Sequence, residues 1–405
     1  MSKAQSVVPA ARRRFIRLVG GGTVAAALPL AGCSAMGGMP DVAVAPWRGP
    51  AAETELRRWA LSWAILAPNP HNRQPWLVSL EDEDALVLSL DTDRLLPETD
   101  PFSRQILVGT GAFLGLLELA ARQRGTNLDI ETFPAGAFGD TLDARPVARV
   151  RFIPGAPVSA RESELFAQVP KRHTYREAYA ADNAPAAAFT AFLEAENRSG
   201  KAGLSAGVVG RADHAPVYEQ LSSIAREAWR IELSTPHTMR ESLQLLRIGS
   251  DEIARHRDGI SMTSPMMVML DTFGMVSRTE PSAPDSMAMK MQLDAFNDNL
   301  ATTPGFFWLL SEKNDRVTQL AAGRAYVRAQ LAATLYGMVM HPVSQALQEY
   351  AEVAGPYRDV HETLRRHAGR PAATAQMLCR IGQPAAGMAA ATPAPRRGLA
   401  AHLKA

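Results

Sequence analysis

The amino-acid sequence predicts an α+β fold made of two similar halves, and three observations carry that expectation. Segments with apolar residues at helical spacing alternate with short runs suited to strands. A Gly-initiated helical segment rich in Ala and Leu occurs at Gly109–Gly125 and returns at Gly323–Gly337, each with strand-like sequence before it. At 405 residues the chain is long enough for two copies of one α+β unit, with no second, unrelated domain required.

Composition bounds the function classes. A hydrophobic content of 46% and a charged content of 21% are ordinary for a globular chain. A net charge of +2, with no dense basic run, argues against a nucleic-acid partner. Cys33 and Cys379 are too few for a disulfide scaffold or a Cys-rich metal site. The histidines are scattered, without HExxH or paired-Cys spacing, so no catalytic metal is expected.

Taken in order, residues 1–33 read as an address. Arg12 and Arg13, with Phe15 beyond them, resemble a twin-arginine export signal, and a weakly apolar run from Leu18 to Leu30 is too short to span a bilayer. Leu30-Ala31-Gly32-Cys33 resembles a lipobox, with Cys33 as the lipidation site; the alternative is a basic flexible tail. The expectation is an exported periplasmic protein, anchored in a membrane through Cys33. Residues 34–50, rich in Gly, Ala, Pro and Met, read as a tether. The first half is placed at 51–155 and the second at 156–405.

Leu56, Trp59, Ala60, Trp63 and Leu66 recur at helical spacing, and Asn69, Pro70, His71, Asn72 and Pro75 then break the helix into a loop. Trp76–Leu80 and Leu86–Leu90 predict strands, Ile106–Arg124 a helix, Val147–Ile153 a strand and Arg161–Pro170 a short helix. Helices are expected over Ala184–Glu196, Val217–Ile231, Ser242–Ile253 and Val317–Met340, with strands at Phe306–Leu310 and Gln376–Ile381. Residues 261–288 hold six methionines and three prolines without sustained period, and read either as a mobile lid over a flat ligand or as a loop with incidental core contacts. Cys379, in an apolar run, reads as inert core.

Chemistry concentrates in two stretches. Arg172, Thr174 and Arg176 alternate, so an extended segment would turn them to one face, as a clamp for a phosphate with a neighbouring polar chain or as a solvated basic patch. Asn69-Pro70-His71-Asn72-Arg73-Gln74-Pro75-Trp76 gives a rigid loop of donors and acceptors backed by an indole, a rim that suits a heteroaromatic ring. Gly109-Thr110-Gly111-Ala112-Phe113-Leu114-Gly115, with Asp129 downstream, imitates a dinucleotide loop, but its third glycine falls one position late.

Together these stretches resemble the nitroreductase family of FMN-dependent oxidoreductases. In that family a Pro-Ser-Ser-x-Asn-x-Gln-Pro-Trp loop of one subunit meets an Arg-x-Ser/Thr-x-Arg/Lys arm of the other; here they read Pro68–Trp76 and Arg172–Arg176. The likeness runs from about Glu53 to Leu399, and Asp93-Arg94 through Pro101, then Gly109–Gly125, look like the Acg branch, which carries two nitroreductase-like halves in one polypeptide. The resemblance implies helices around antiparallel sheets in two pseudo-symmetric α/β/α halves, a monomer acting as an intramolecular pseudo-dimer.

The resemblance also implies FMN as cofactor and small-molecule electron donor and acceptor partners, the acceptor a nitro compound or quinone. Arg172 with Arg396 or Arg397 would hold the phosphate, and Thr174 the phosphate or ribityl chain. Arg176 would sit at the pyrimidine edge, Asn69, Pro70 and His71 would line the ring, and Asn72 and Gln74 would shape the loop. The flavin carries the chemistry, so no side chain is named as catalytic. The alternative reading is a non-catalytic lipoprotein that sequesters FMN. Two departures stand out: Arg57-Arg58-Trp59-Ala60-Leu61-Ser62 is helical where an ordinary member has its own arm, implying one FMN per chain, and Asn69-Pro70 replaces the Ser pair.

Overall fold

The computed structural model describes residues 38–180, 186–198, 203–387 and 392–404; the expected export signal and Cys33 lie outside them. Helix α1 (Asp41–Val44) and a 3-10 turn (Ala45–Arg48) open the described chain. Sequence had assigned these residues to a tether, yet Trp47 is buried and holds them to the body, because an indole leaves water at a gain of a few kcal/mol. Helix α2 (Leu56–Ala64) starts at Glu55, whose carboxylate accepts from the amides of Arg57 and Arg58.

Four strands build the first sheet: β1 (Trp76–Glu81), β2 (Ala85–Leu90), then, after helix α3 (Arg104–Gln123), β3 (Thr126–Thr132) and β4 (Ala148–Pro154). The order is β1-β2-β4-β3, antiparallel throughout. Strand β3 escaped the sequence reading because an edge strand tolerates polar side chains, and here only Leu128 and Ile130 are apolar.

Helix α4 (Ala160–Phe166) begins with a reciprocal Ser159 and Glu162 cap. After it come α5 (Ala187–Arg198), β5 (Leu204–Gly210), α6 (Ala215–Ser234) and α7 (Pro236–Gln244). Next are β6 (Leu246–Ile248), α8 (Ser250–His256), β7 (Ile260–Met262), α9 (Pro265–Thr272) and α10 (Met287–Ala301). Strand β8 (Gly305–Ser311), helix α11 (Arg316–Leu335), strand β9 (Val339–Pro342), helix α12 (Ala354–Ala368) and strand β10 (Thr374–Gly382) complete the second sheet, ordered β5-β8-β10-β9 and also antiparallel.

The two sheets share one plan. In each, two strands precede a long helix, two follow it, and the fourth strand inserts between the second and the third. They differ at the first connection: a tight turn joins β1 to β2, whereas α6 to α10 separate β5 from β8. Helices α3 and α11, each 20 residues long, pack against one another at their glycines. A Cβ on Gly111 would lie 2.0 Å from the Leu320 carbonyl oxygen, and one on Gly323 would lie 1.9 Å from that of Val108. The dinucleotide-like glycines therefore serve helix contact; Gly109 lies inside α3, and Asp129 pairs across the sheet with Arg151.

Three expectations change. Ser242–Ile253 is not one helix: Leu246–Ile248 pairs in parallel with β7, since Gly249 (φ 79°) lets the chain turn before α8. The helix from Val317 ends at Leu335, and Gly337 (φ 73°) reverses the chain into β9. Within 261–288, Met262, Met267 and Val276 join Leu243, Leu246 and Ile248 in a small core, while Met266 and Met269 on α9 and Phe273 just after it stay exposed. Cys379 is fully buried in β10, and burial pushes its thiol pKa up, in keeping with inert core.

Candidate functional site

The loop between α2 and β1 stores backbone strain. His71 (φ 44°), Asn72 (φ 51°) and Gln74 (φ 49°) all take the left-handed conformation, which costs non-Gly residues on the order of 1–3 kcal/mol each. Neighbouring segments fix it. The Asn69 side chain accepts from the Gln74 amide (2.8 Å) and donates to the Ala67 carbonyl (3.1 Å). Gln74 is fully buried; it donates to the carbonyls of Arg257 (2.9 Å) and Asn72 (3.3 Å) and accepts from the Arg397 amide (2.9 Å). Asn72 donates to the Pro395 carbonyl (2.9 Å), and the Gly259 amide donates to the Asn72 carbonyl (3.3 Å). Gly109 permits close approach of the loop to α3, since a Cβ there would meet Asn69 at 3.1 Å and Pro70 at 3.2 Å.

The arm comes from the other half. Thr174 bridges Met340 of β9, the Tyr175 amide donates to the Met340 carbonyl (3.0 Å), and Tyr179 bridges Pro384. Arg380 locks this run: it donates to Thr303 Oγ1 (2.7 Å) and to the carbonyls of Glu177 (3.2 Å) and Asn299 (2.8 Å), and lies 4.4 Å over the Tyr179 ring.

Loop and arm meet at one backbone oxygen. Arg172, 3% exposed, donates through Nη2 to the Leu66 carbonyl (2.9 Å) and through Nη1 to Gln330 Oε1 (3.1 Å). Arg396, also 3% exposed, donates through Nη2 to the same Leu66 carbonyl (3.1 Å) and to Ala67 (3.1 Å), and through Nη1 to Asn72 Oδ1 (2.7 Å). Neither guanidinium has a carboxylate partner among the described residues, and both Nε atoms are buried without a partner. Burial pulls the Arg172 pKa down to about 10 and that of Arg396 well below its ordinary value, where the charge of Arg172 adds to the effect. Two buried like charges, each with an unpartnered donor, thus lie together without a counter-charge among the described residues.

The other expected residues lie around this centre. Arg176 is exposed, two positions beyond half-buried Thr174. Burial, then the charges of Arg73 and Arg176, push His71 to about 4, and its Nδ1 is buried without a partner. Arg397 stands apart from the pair: its guanidinium donates to the Ala401 carbonyl (3.0 Å) and faces His402 (3.4 Å), while its amide serves Gln74. Trp76 is core, 4.9 Å from Phe113. Arg57, in the position of the missing arm, pairs with Glu55 and donates to the Asp82 carbonyl (2.7 Å) beside the β1–β2 turn.

Sequence reasoning missed the Leu66 and Ala67 carbonyls, Gln330, Trp47, Arg380 and the Arg257–Gly259 turn. Trp47 alone carried a signal: a Trp in a Gly- and Pro-rich stretch that an unfolded tether has no use for.

No family model matches the chain. "Putative NAD(P)H nitroreductase Rv3131" of Mycobacterium tuberculosis (strain ATCC 25618 / H37Rv) is 26% identical over 367 residues, spanning 87% of this chain and 94% of that protein. By sequence, the chain is thus similar over most of its length to a putative NAD(P)H nitroreductase. "Putative NAD(P)H nitroreductase acg" of the same strain is 38% identical over 96 residues, so the chain matches only 26% of that relative's length. The solved structure of the FMN-dependent nitroreductase NfnB from Mycobacterium smegmatis in complex with NADPH overlays with a TM-score of 0.35 at 16% identity, over 59% of this chain and 96% of that one.

Proposed function

We propose that the chain is an FMN-dependent oxidoreductase of nitroreductase type, built as two nitroreductase-like halves, 51–155 and 156–405, with one flavin site between them. One observation carries the reading: Arg172 of the second half and Arg396 of the tail converge, buried and without a carboxylate, on the Leu66 carbonyl that leads into the strained first-half loop. Their unpartnered Nε donors fit a phosphate monoester, which would supply the missing negative charge.

In this reading Arg172 and Arg396 hold the phosphate and Thr174 the adjoining chain. Asn69, Pro70 and His71 line the ring, and Asn72 and Gln74, whose amides are committed to backbone partners, keep the loop in shape. Arg176 provides a fixed positive charge at the pyrimidine edge. His71, with a pKa of about 4, is neutral at physiological pH, so its buried Nδ1 offers a hydrogen bond rather than a charge. The flavin, when bound, supplies hydride transfer between a reductant and an electrophilic acceptor of the nitro or quinone class. One site per chain is favoured because Arg57 is spent on the β1–β2 turn. The shared strand order of the two sheets supports the pseudo-dimer.

Arg12-Arg13 and Leu30–Cys33 support export by the twin-arginine route and anchoring through Cys33 in the periplasm. A non-catalytic flavin binder under a lid at 261–288 has less support, because Met262, Met267 and Val276 are committed to their own core. The test is the absorption spectrum of the exported protein, followed by reduction and reoxidation. Yellow protein with non-covalent FMN, reoxidised by a nitroaromatic or quinone, is expected. Colourless protein that takes up no FMN on reconstitution ends the proposal.

A further inference from the structure

We propose that residues Asp41–Arg48 form a latch over the anion subsite, and that Trp47 is the positioning residue that holds it shut. The inference rests on the flavin reading above and adds how the phosphate gains entry. The Trp47 ring, 6% exposed, lies 5.4 Å from the Arg172 guanidinium and 5.0 Å from that of Arg396. Its Nε1 donates to the Ala394 carbonyl (2.8 Å), and the Arg396 amide donates to the Ala43 carbonyl (2.8 Å). One indole thus covers both cations and ties the segment to the tail that carries one of them.

The negative face of the indole is the nearest thing to a counter-charge for these guanidiniums among the described residues, where no carboxylate reaches them and carbonyl dipoles supply the rest. It compensates the pair while no phosphate is present. Of the groups covering the pair, Leu66 and Ala67 belong to a loop stapled on several sides, and Gln330 sits in buried helix α11. Trp47 belongs to a short segment that is anchored by buried Ala43 and Trp47, carries an exposed Arg48–Asp41 pair within itself, and ends at Gly49 (φ 84°). The least costly opening therefore swings this segment about Gly49, where only glycine tolerates the backbone angle without strain.

The experiment is stopped-flow binding of FMN to the full chain stripped of flavin, followed by flavin fluorescence. For the unaltered protein, the observed association rate should plateau as FMN rises, because opening limits entry. Trp47→Leu keeps apolar bulk but removes the ring, and should speed both association and dissociation about tenfold, equivalent to about 1.4 kcal/mol, with Kd moving less than about threefold. Trp47→Phe, which keeps a ring but loses the hydrogen bond to Ala394, should fall between the two. A rate that climbs linearly with FMN overturns the latch without recourse to any variant. So does faster dissociation of Trp47→Leu with unchanged association, which would make the indole a fixed wall. If the unaltered protein binds no FMN, the flavin reading falls and takes the latch with it; normal binding with unchanged Trp47→Leu kinetics removes the latch alone.

Discussion

Replacing Arg172 with Met should separate anion binding from stability. The guanidinium is buried, has no carboxylate partner among the described residues, and shares the Leu66 carbonyl with Arg396. Removing it leaves that carbonyl satisfied by Arg396 and relieves like-charge repulsion, but leaves Gln330 Oε1 unpaired at a cost of about 1–3 kcal/mol. These terms oppose one another, so folding stability should move by no more than about 1 kcal/mol. Phosphate binding has no such offset. Two charge-assisted hydrogen bonds at about 1.5–3 kcal/mol each put the loss at about 3–6 kcal/mol, or two to four orders of magnitude in Kd. The assay is a paired titration with FMN and with riboflavin, which lacks the phosphate. Arg172→Met should lose most of its FMN affinity and keep riboflavin affinity within about threefold. Equal losses for both ligands, or an unfolding free energy lowered by more than about 3 kcal/mol, would show that Arg172 is a structural prop and refute the reasoning.

Three further outcomes follow from packing, burial and hydrogen bonding. Gly323→Ala places a methyl 1.9 Å from the Val108 carbonyl oxygen and should cost about 3 kcal/mol or more, whereas Gly355→Ala in α12, with nothing within 4 Å, should be neutral or gain up to about 1 kcal/mol; urea denaturation compares them. Gln74→Leu leaves the Arg397 amide and the Arg257 carbonyl unpaired and should lower stability by about 2–4 kcal/mol, and a loss below about 1 kcal/mol would mean that the loop holds itself. His402 is fully buried, and burial pulls its pKa down to about 3, so between pH 6.5 and that value the unfolded chain binds a proton that the folded chain refuses. Stability therefore falls as pH falls, and the advantage of the native protein over His402→Gln should shrink by about 2 kcal/mol from pH 7 to pH 5. Asp100 and Glu232, raised by burial to about 6 and about 7, act in the opposite sense and are common to both proteins, so they cancel in the comparison.

Local patterns were legible and long-range ones were not. The strands Trp76–Glu81 and Gly305–Ser311 announce themselves as apolar runs, and α3 as a long apolar helix. Strands β5 and β9 did not: Leu204–Gly210 holds two glycines, and Val339–Pro342 ends in His and Pro. Helix α12 hid because its exposed face carries most of its charges, leaving a narrow buried stripe of Val360, Thr363 and Leu364. At the site, the arginines and the Asn/Gln loop were readable because few structural uses explain so many polar groups around two prolines. Their partners were not, since Leu66 and Ala67 contribute only backbone oxygen, which no side-chain pattern reveals. Arg396 and Arg397 stood equal in sequence; only the fold turns one guanidinium toward Arg172 and the other toward His402.

The strained loop and the latch divide the work of a binding site between them. Three left-handed residues, at about 1–3 kcal/mol each, persist only if distant segments impose them. Here residues 257–259, residues 394–397 and Gly109 do so, through hydrogen bonds and contacts that involve no ligand. The loop is therefore shaped before anything binds, and its ordering entropy is met during folding rather than at association. A rim fixed in that way cannot also open to admit a phosphate to an interior pair of arginines. Opening falls instead to the short segment carrying Trp47, which touches both cations with a single ring and is tied to the tail by two hydrogen bonds.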